Sequence, residues 1–163
     1  MINERIQVLA EDIAKQLVRR NETVSVAEST TGGLISASLL SVAGASKFYR
    51  GGSVVYTRES RKAFLDFEQN RLQGLKPLTP EMAQAFAEAA QAKLNANWGI
   101  AELGASGPDD SPYGHPAGST VFAVAGPLAC SKLLQTGIND RRQNMTLFTE
   151  AVLELFLVTL EQT

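Results

Sequence analysis

Residues 28–33 read Glu28-Ser29-Thr30-Thr31-Gly32-Gly33, three hydroxyls in a row set directly ahead of two glycines. Opening an amide carbonyl takes a nucleophile, a proton acceptor and donors facing the developing oxyanion. A hydroxyl at the start of a helix can be joined there by backbone N–H groups that the helix leaves unpaired. Ser29 is the candidate nucleophile on this reading, and Thr30, Thr31, Gly32 and Gly33 form the ligand-binding turn around it. The same residues have an ordinary structural use, since a serine or threonine at this place can cap the following helix by accepting one of its free N–H groups. A second stretch, Gly104 to Pro108, offers Gly104, Ser106 and Gly107, where backbone can approach a ligand closely, although glycine and proline loops also occur without ligands. Asp109 and Asp110 read as solvated carboxylates, and His115 as a surface residue that titrates near neutral pH.

These candidates need elements to hold them. Ile6, Leu9, Ile13 and Leu17 recur at helical spacing over residues 4–19, and Thr23 to Ala27 alternates as a short strand. The hydroxyl cluster then occupies a strand-to-helix turn, because Leu34, Ile35, Leu39 and Leu40 resume a helical stripe. Gly51 to Tyr56 reads as a second strand with Tyr56 at its end, and Thr57 opens a short helix. Residues 66–79, with Asp66, Glu68, Gln69, Gly74 and Pro77, form a surface connection. Thr79-Pro80-Glu81 starts an alanine-rich helix that runs to about Leu94: a capping hydroxyl, a proline at the first helical position and a carboxylate near the positive end of the dipole. Trp98 to Leu103 and Ser119 to Ala125 are strands flanking a loop from Gly104 to Gly118, Ser131 to Thr136 reads as an edge strand, and a long amphipathic helix follows Asn139 and Asp140.

Composition narrows the classes. The 163 residues are 44% hydrophobic and 20% charged, ordinary for a globular chain and consistent with one domain over residues 1–163. A formal net charge of -2 with interspersed signs gives no broad attraction to nucleic acid or anionic lipid. No apolar run reaches the roughly 18 residues of a membrane span, and charged Glu4 and Arg5 stand where a signal peptide would be apolar, so a cytoplasmic location is expected. One cysteine, Cys130, and one histidine allow neither a disulfide nor a Cys/His zinc site. Cys130 reads as a packing residue, and neither metal nor cofactor is expected.

Several motifs, in order and spacing, resemble the CinA C-terminal domain family across essentially the whole chain. Its Ala-Glu-Ser-Cys-Thr-Gly-Gly signature is similar to Ala27 through Gly33, with Thr30 in place of the cysteine. Gly-Ala-Ser, an aromatic and Gly-Gly are met by Gly44-Ala45-Ser46, Phe48 and Gly51-Gly52, leading to a tyrosine matched by Tyr56. Tyr-Ser-Asn-x-x-Lys meets Tyr56 to Arg61, so the family's lysine is Arg61 here, with Lys62 one position later. Thr-Gly-x-Ala-Gly-Pro resembles Leu103 to Pro108, Lys-Pro-x-Gly-Thr-Val resembles the stretch from His115 to Val121, and Gly-Asp-Arg resembles Asn139-Asp140-Arg141.

The resemblance implies a three-layer α/β/α sandwich with a mixed sheet, a homo-oligomer, and an amidohydrolase in which a serine and a lysine act on nicotinamide mononucleotide to release ammonia and nicotinate mononucleotide. It makes Ser29 the active serine and gives Arg141 the role of phosphate clamp, against the alternative of a solvated charge at a helix start. Tyr56, with an ordinary pKa near 10, assists if a cation lies beside it and otherwise packs at its strand end. Arg61 cannot serve as the base because its pKa exceeds about 12, though its planar fork can hold a phosphate or orient a carbonyl. Lys62 is the substitute base, turned about 100° away along a helix. A paralogue that binds a nucleotide-like ligand without turning it over is the competing expectation.

Overall fold

The structure, a computed structural model, describes residues 1–67 and 70–163. Glu68 and Gln69 of the expected surface connection lie outside the described residues. In chain order the elements are α1 (Glu4–Arg20), β1 (Val24–Glu28), α2 (Leu34–Leu40), a 3₁₀ turn (Ala45–Lys47), β2 (Tyr49–Val54), α3 (Arg58–Phe64), α4 (Pro80–Lys93), β3 (Trp98–Ala105), β4 (Ser119–Ala125), β5 (Cys130–Gln135) and α5 (Arg141–Glu161). None of the described helices is long and apolar enough to cross a membrane.

The strands form one mixed sheet in the order β2-β1-β3-β4-β5, with β2, β1 and β3 parallel and β4 and β5 antiparallel to their neighbours. Side chains alternate across it. Val24, Val26, Ile100, Phe122 and Val124 join Ile6, Ile13 and Leu17 of α1, Ile35 and Leu39 of α2, and Val152 and Phe156 of α5 in one buried cluster. Ala27, Ala101, Leu103, Val121 and Ala123 meet Met82, Ala83, Phe86 and Ala87 of α4 in the other. Three layers result, as expected. Fully burying each large apolar side chain stabilises by roughly 1.5–3 kcal/mol, so the two clusters supply the main drive for closing helices over both faces.

Local signals explain most helix starts. Asn3 accepts from Ile6 N at 3.0 Å, Thr57 from Ser60 N at 3.1 Å, Thr79 from Met82 N at 3.3 Å and Asp140 from Gln143 N at 2.8 Å. The helix α2 is different. Its N-cap is Gly33, in the left-handed region with φ 100 and no side chain to offer, so the expected cap by Ser29 is not made.

β5 lies one residue early, at Cys130–Gln135 instead of Ser131 to Thr136, and three other boundaries move because ladder pairing decides where a strand stops. Glu28 is the last residue of β1 and not part of the turn, since it pairs with Val54 on one side and Glu102 on the other. β2 runs Tyr49–Val54 where Gly51 to Tyr56 was expected, because its partner strand ends at Glu28; Tyr56 lies beyond the strand and is 54% exposed. β3 extends through Ala105, which pairs with Ser119 of β4, so Gly104 belongs to a strand and not to the loop.

α4 sits unusually close to the sheet. A Cβ added to Gly99 of β3 would lie 2.0 Å from Ala87 O, and Ser25 Oγ donates to Ala90 O at 2.6 Å. Gly99→Ala should therefore force α4 outward and destabilise by about 1–3 kcal/mol, read as a lower midpoint in urea unfolding with an unchanged slope. A midpoint equal to wild type would show that the helix is not seated on that strand.

Candidate active site

The chain leaves β1 by way of α2 toward β2 on one side and leaves β3 by way of the loop after Ala105 toward β4 on the other. The connections therefore diverge between the carboxyl ends of β1 and β3, the place where open α/β sheets bind ligands. A cleft of about 470 Å³ lies there, lined by Ser29 and Thr30 from the turn after β1, Tyr56 and Arg61, and Gly104, Ser106, Gly107 and Arg141. Three separate stretches of chain and the start of α5 are thus brought together.

Other candidates fall elsewhere. Lys62 is exposed and lines a neighbouring cleft of about 610 Å³ together with Leu103; that cleft shares Arg61, Leu78 and Tyr113 with the first. Thr31 is bonded beneath the turn, while Gly32 (φ 63) and Gly33 (φ 100) carry the chain through left-handed conformations into α2 and do not line the cleft. His115 is also outside it, its backbone N–H donating to Ser111 Oγ at 3.0 Å.

The turn is held by two carboxylates. Glu28 and Glu102 are fully buried and occupy facing register positions on β1 and β3. Glu28 accepts from Ile35 N at 3.1 Å and Ser36 N at 3.0 Å, doing for α2 what its glycine N-cap cannot, and also from Thr31 Oγ1 and Ser36 Oγ at 2.7 Å each. Glu102 Oε2 accepts from Ser29 N at 3.1 Å and Thr31 N at 3.0 Å, and Oε1 accepts from Thr30 Oγ1 at 2.5 Å. These two amides, expected to face an oxyanion, point instead at the carboxylate. Burial pushes the Glu102 carboxyl up from its ordinary range, and the bonds from Thr30, Thr31 and Ser29 oppose that rise only in part.

The cations are fixed by neutral groups. Arg61 donates Nε–H to Val55 O at 3.2 Å, and its guanidinium carbon stands 5.3 Å from the centre of the Phe86 ring. Burial pushes Arg61 down from its ordinary value, Tyr113 opposing and Arg58 adding to the shift, yet a guanidinium keeps its proton in proteins. Arg141, the first residue of α5, donates Nη1–H to Gly107 O at 2.7 Å and lies with Nη2 3.4 Å from the Tyr56 hydroxyl, so a cation does lie beside Tyr56. Asn144 Nδ2 donates to Ser106 O at 3.0 Å and to Ile138 O at 2.7 Å, tying the loop after β3 to α5. Gly107 is required there: at φ 97, a Cβ would come within 2.6 Å of Asn139 O.

A family model described as the CinA C-terminal domain matches residues 6–160. Among curated relatives, a CinA-like protein of Synechococcus sp. (strain RCC307) is 36% identical over 134 residues, which is 82% of this chain and 32% of that protein. One from Chlorobium chlorochromatii (strain CaD3) is 32% identical over 158 residues, 94% of this chain and 37% of that protein. The chain therefore spans about a third of the length of the curated relatives it matches. Among solved structures, the competence/damage inducible protein CihA of Agrobacterium tumefaciens superposes with a TM-score of 0.88 at 26% identity, covering 99% of this chain and 98% of that one. A CinA superfamily protein of Klebsiella pneumoniae 700603 gives 0.88 at 22% identity, over 97% and 99% of the two chains, a likeness of fold.

The raised pKa of Glu102 has a consequence for stability. A carboxyl whose folded pKa lies above its unfolded value of about 4.3 favours the fold fully below that value, and the contribution is lost as pH rises through the folded pKa. Glu102→Gln keeps a neutral side chain at every pH. Its melting temperature relative to wild type should increase steadily as pH is raised from about 4, and a difference that stays flat or shrinks would contradict the assignment.

Proposed function

Because this chain belongs to the CinA C-terminal domain family, we propose that its cleft hydrolyses the carboxamide of nicotinamide mononucleotide, or of a closely related small phosphorylated amide, to the acid and ammonia. The observation that carries the reading is the union, in one cleft of about 470 Å³, of the Ser29 and Thr30 hydroxyls with the Arg61 and Arg141 guanidiniums. Clefts of roughly 300–1,000 Å³ suit ligands of this size. The hydroxyl turn offers a nucleophile for the carbonyl, and the arginines offer charge for the phosphate.

Arg141 suits the phosphate for a geometric reason. Nη1 donates to Gly107 O and Nη2 lies against the Tyr56 hydroxyl, which fixes the plane of the fork, and Nε–H with the second hydrogens of the two Nη atoms are left for a bidentate partner. Tyr56, beside the same guanidinium, can donate its hydroxyl to an oxygen of the ligand.

A second reading, binding without turnover, draws on one feature. The family's lysine is replaced by Arg61, which cannot accept a proton, and Lys62 faces the neighbouring cleft. The two readings separate in one assay. Purified protein incubated with nicotinamide mononucleotide should release ammonia and nicotinate mononucleotide in equal amounts, and saturable binding with no ammonia would leave the binding reading alone. In Arg141→Ala the mononucleotide should bind about 10-fold or more weakly, since hydrogen bonds to charged groups contribute roughly 1.5–3 kcal/mol. Unchanged affinity would remove Arg141 from the phosphate.

A further inference from the structure

If the cleft hydrolyses an amide, the loss of the family's lysine leaves a specific question: which group takes the proton. We propose that Thr30 is the reacting hydroxyl of this cleft and that Glu102 is its proton acceptor, the pair standing in for a serine and a lysine.

The geometry meets the requirements for an activated hydroxyl one by one. A nucleophile and its base must be within hydrogen-bond reach, and the base must be held by a third group. Thr30 Oγ1 lies 2.5 Å from Glu102 Oε1. Glu102 is held from its other oxygen, where Ser29 N and Thr31 N both donate to Oε2, so Oε1 stays turned to Thr30. Thr120 Oγ1 comes within 3.4 Å of Oε1, but its single hydrogen serves Leu103 O at 3.1 Å. The space over the pair is kept by Gly104: a Cβ there would lie 2.6 Å from Thr30 Oγ1 and 3.0 Å from Glu102 Oε1. Both Gly104 and Thr30 line the cleft.

Ser29 compares poorly. It lines the same cleft, but among the described residues no hydrogen bond engages its Oγ, and its backbone N–H is spent on Glu102. Among the described residues the hydroxyl at the family's serine position thus has no base, whereas its neighbour has one.

The groups facing Glu102 come from four elements. β1 presents Glu28, which approaches through Thr31; the Thr31 hydrogen is nearer Glu28 Oε2, at 2.7 Å, than Glu102 Oε2, at 3.0 Å. The turn presents Thr30 and Thr31, β4 presents Thr120, and α5 places Phe148 against Gly104. A carboxyl raised by apolar surroundings is a stronger base than one in water, which suits it to take a hydroxyl proton.

Each step balances. As Thr30 Oγ bonds to the amide carbon, its proton passes to Glu102 Oε1 and the carbonyl electron pair moves to oxygen. Collapse breaks the C–N bond, Glu102 returns the proton to nitrogen, and ammonia leaves. Water then attacks the Thr30 ester, giving a proton to Glu102, which passes it to Thr30 Oγ as the C–O bond breaks. The sum is amide plus water to acid plus ammonia.

The test uses a hydroxyl-directed fluorophosphonate, whose phosphorus bonds to an activated oxygen as fluoride leaves, so that it reads activation without needing the natural substrate. The adduct in wild type, mapped by peptide mass spectrometry, should sit on Thr30. Labelling should persist in Ser29→Ala and Thr30→Ser and vanish in Thr30→Val. Glu102→Gln, its fold checked by circular dichroism, should label about 10²- to 10⁴-fold more slowly and should lose the acidic fall-off that wild type shows as its carboxylate is protonated. With nicotinamide mononucleotide, Glu102→Gln should lower kcat with the dissociation constant unchanged. An adduct on Ser29, no adduct at all, or a folded Glu102→Gln that labels at the wild-type rate would overturn the proposal. Wild type that labels on Thr30 yet releases no ammonia from the mononucleotide would sink the substrate reading and leave the pair standing.

Discussion

Two carboxylates buried side by side set the terms for everything at this end of the sheet. Glu28 and Glu102 face each other on neighbouring parallel strands with no exposure to solvent. Taking a carboxylate out of water costs several kcal/mol unless donors replace the lost hydration. Four backbone amides and three hydroxyls of residues 29–36 are used for this. Two α2 amides and the Ser36 hydroxyl go to Glu28, two turn amides and the Thr30 hydroxyl go to Glu102, and Thr31 stands between them. A hydroxyl has one hydrogen to give. With Thr31 donating to Glu28 at 2.7 Å, it has no second hydrogen for Glu102 Oε2 at 3.0 Å. Burial that these donors offset only in part is what holds the Glu102 carboxyl above its ordinary range.

The shape of the turn follows from that arrangement. Because the side chains of β1 and β3 reach up to collect its amides, the chain after Glu28 is drawn down over Gly104 and must reverse through two left-handed glycines to enter α2. The hydroxyls of Ser29 and Thr30 are left at the lip of the crevice where the chain crossovers diverge. α5 completes the crevice from the other side, with Asn144 and Arg141 gripping the carbonyls of Ser106 and Gly107. Sheet, turn and closing helix are therefore coupled through polar contacts at one edge of a core that is otherwise apolar.

Much of this was legible in the sequence, and the exceptions have physical causes. Helical stripes and caps placed α1, α4 and α5, since Thr79 and Asp140 announce helix starts through chemistry that is local. Strand ends were misplaced at Tyr56 and Gly104 because they depend on how far a partner strand runs, which no single stretch encodes. Ser29 was weighed as a cap because a hydroxyl before a helix usually is one, and the actual acceptor, Glu28, sits five residues before the N-cap Gly33 on a strand. Glu102 did leave a sign: it is the lone charge inside the apolar run Trp98 to Ala105 of a strand covered on both faces, where a carboxylate must find donors. A run of three hydroxyls after another strand was the natural place to look for them. The resemblance located the cleft residues Ser29, Tyr56, Arg61 and Arg141, and it had no place for a carboxylate at position 102.

The account rests on Glu102 being a carboxyl that keeps its proton longer than an ordinary one while bonded to Thr30. A carbon-13 NMR titration of protein labelled at the glutamate side-chain carboxyl, with the Glu102 resonance assigned by its loss in Glu102→Gln, reads that property directly. The expected result is a midpoint well above the ordinary value of about 4.3, moving in Thr30→Val as the bond from Thr30 is removed. A Glu102 signal that titrates at the ordinary value, or one indifferent to Thr30→Val, would contradict it.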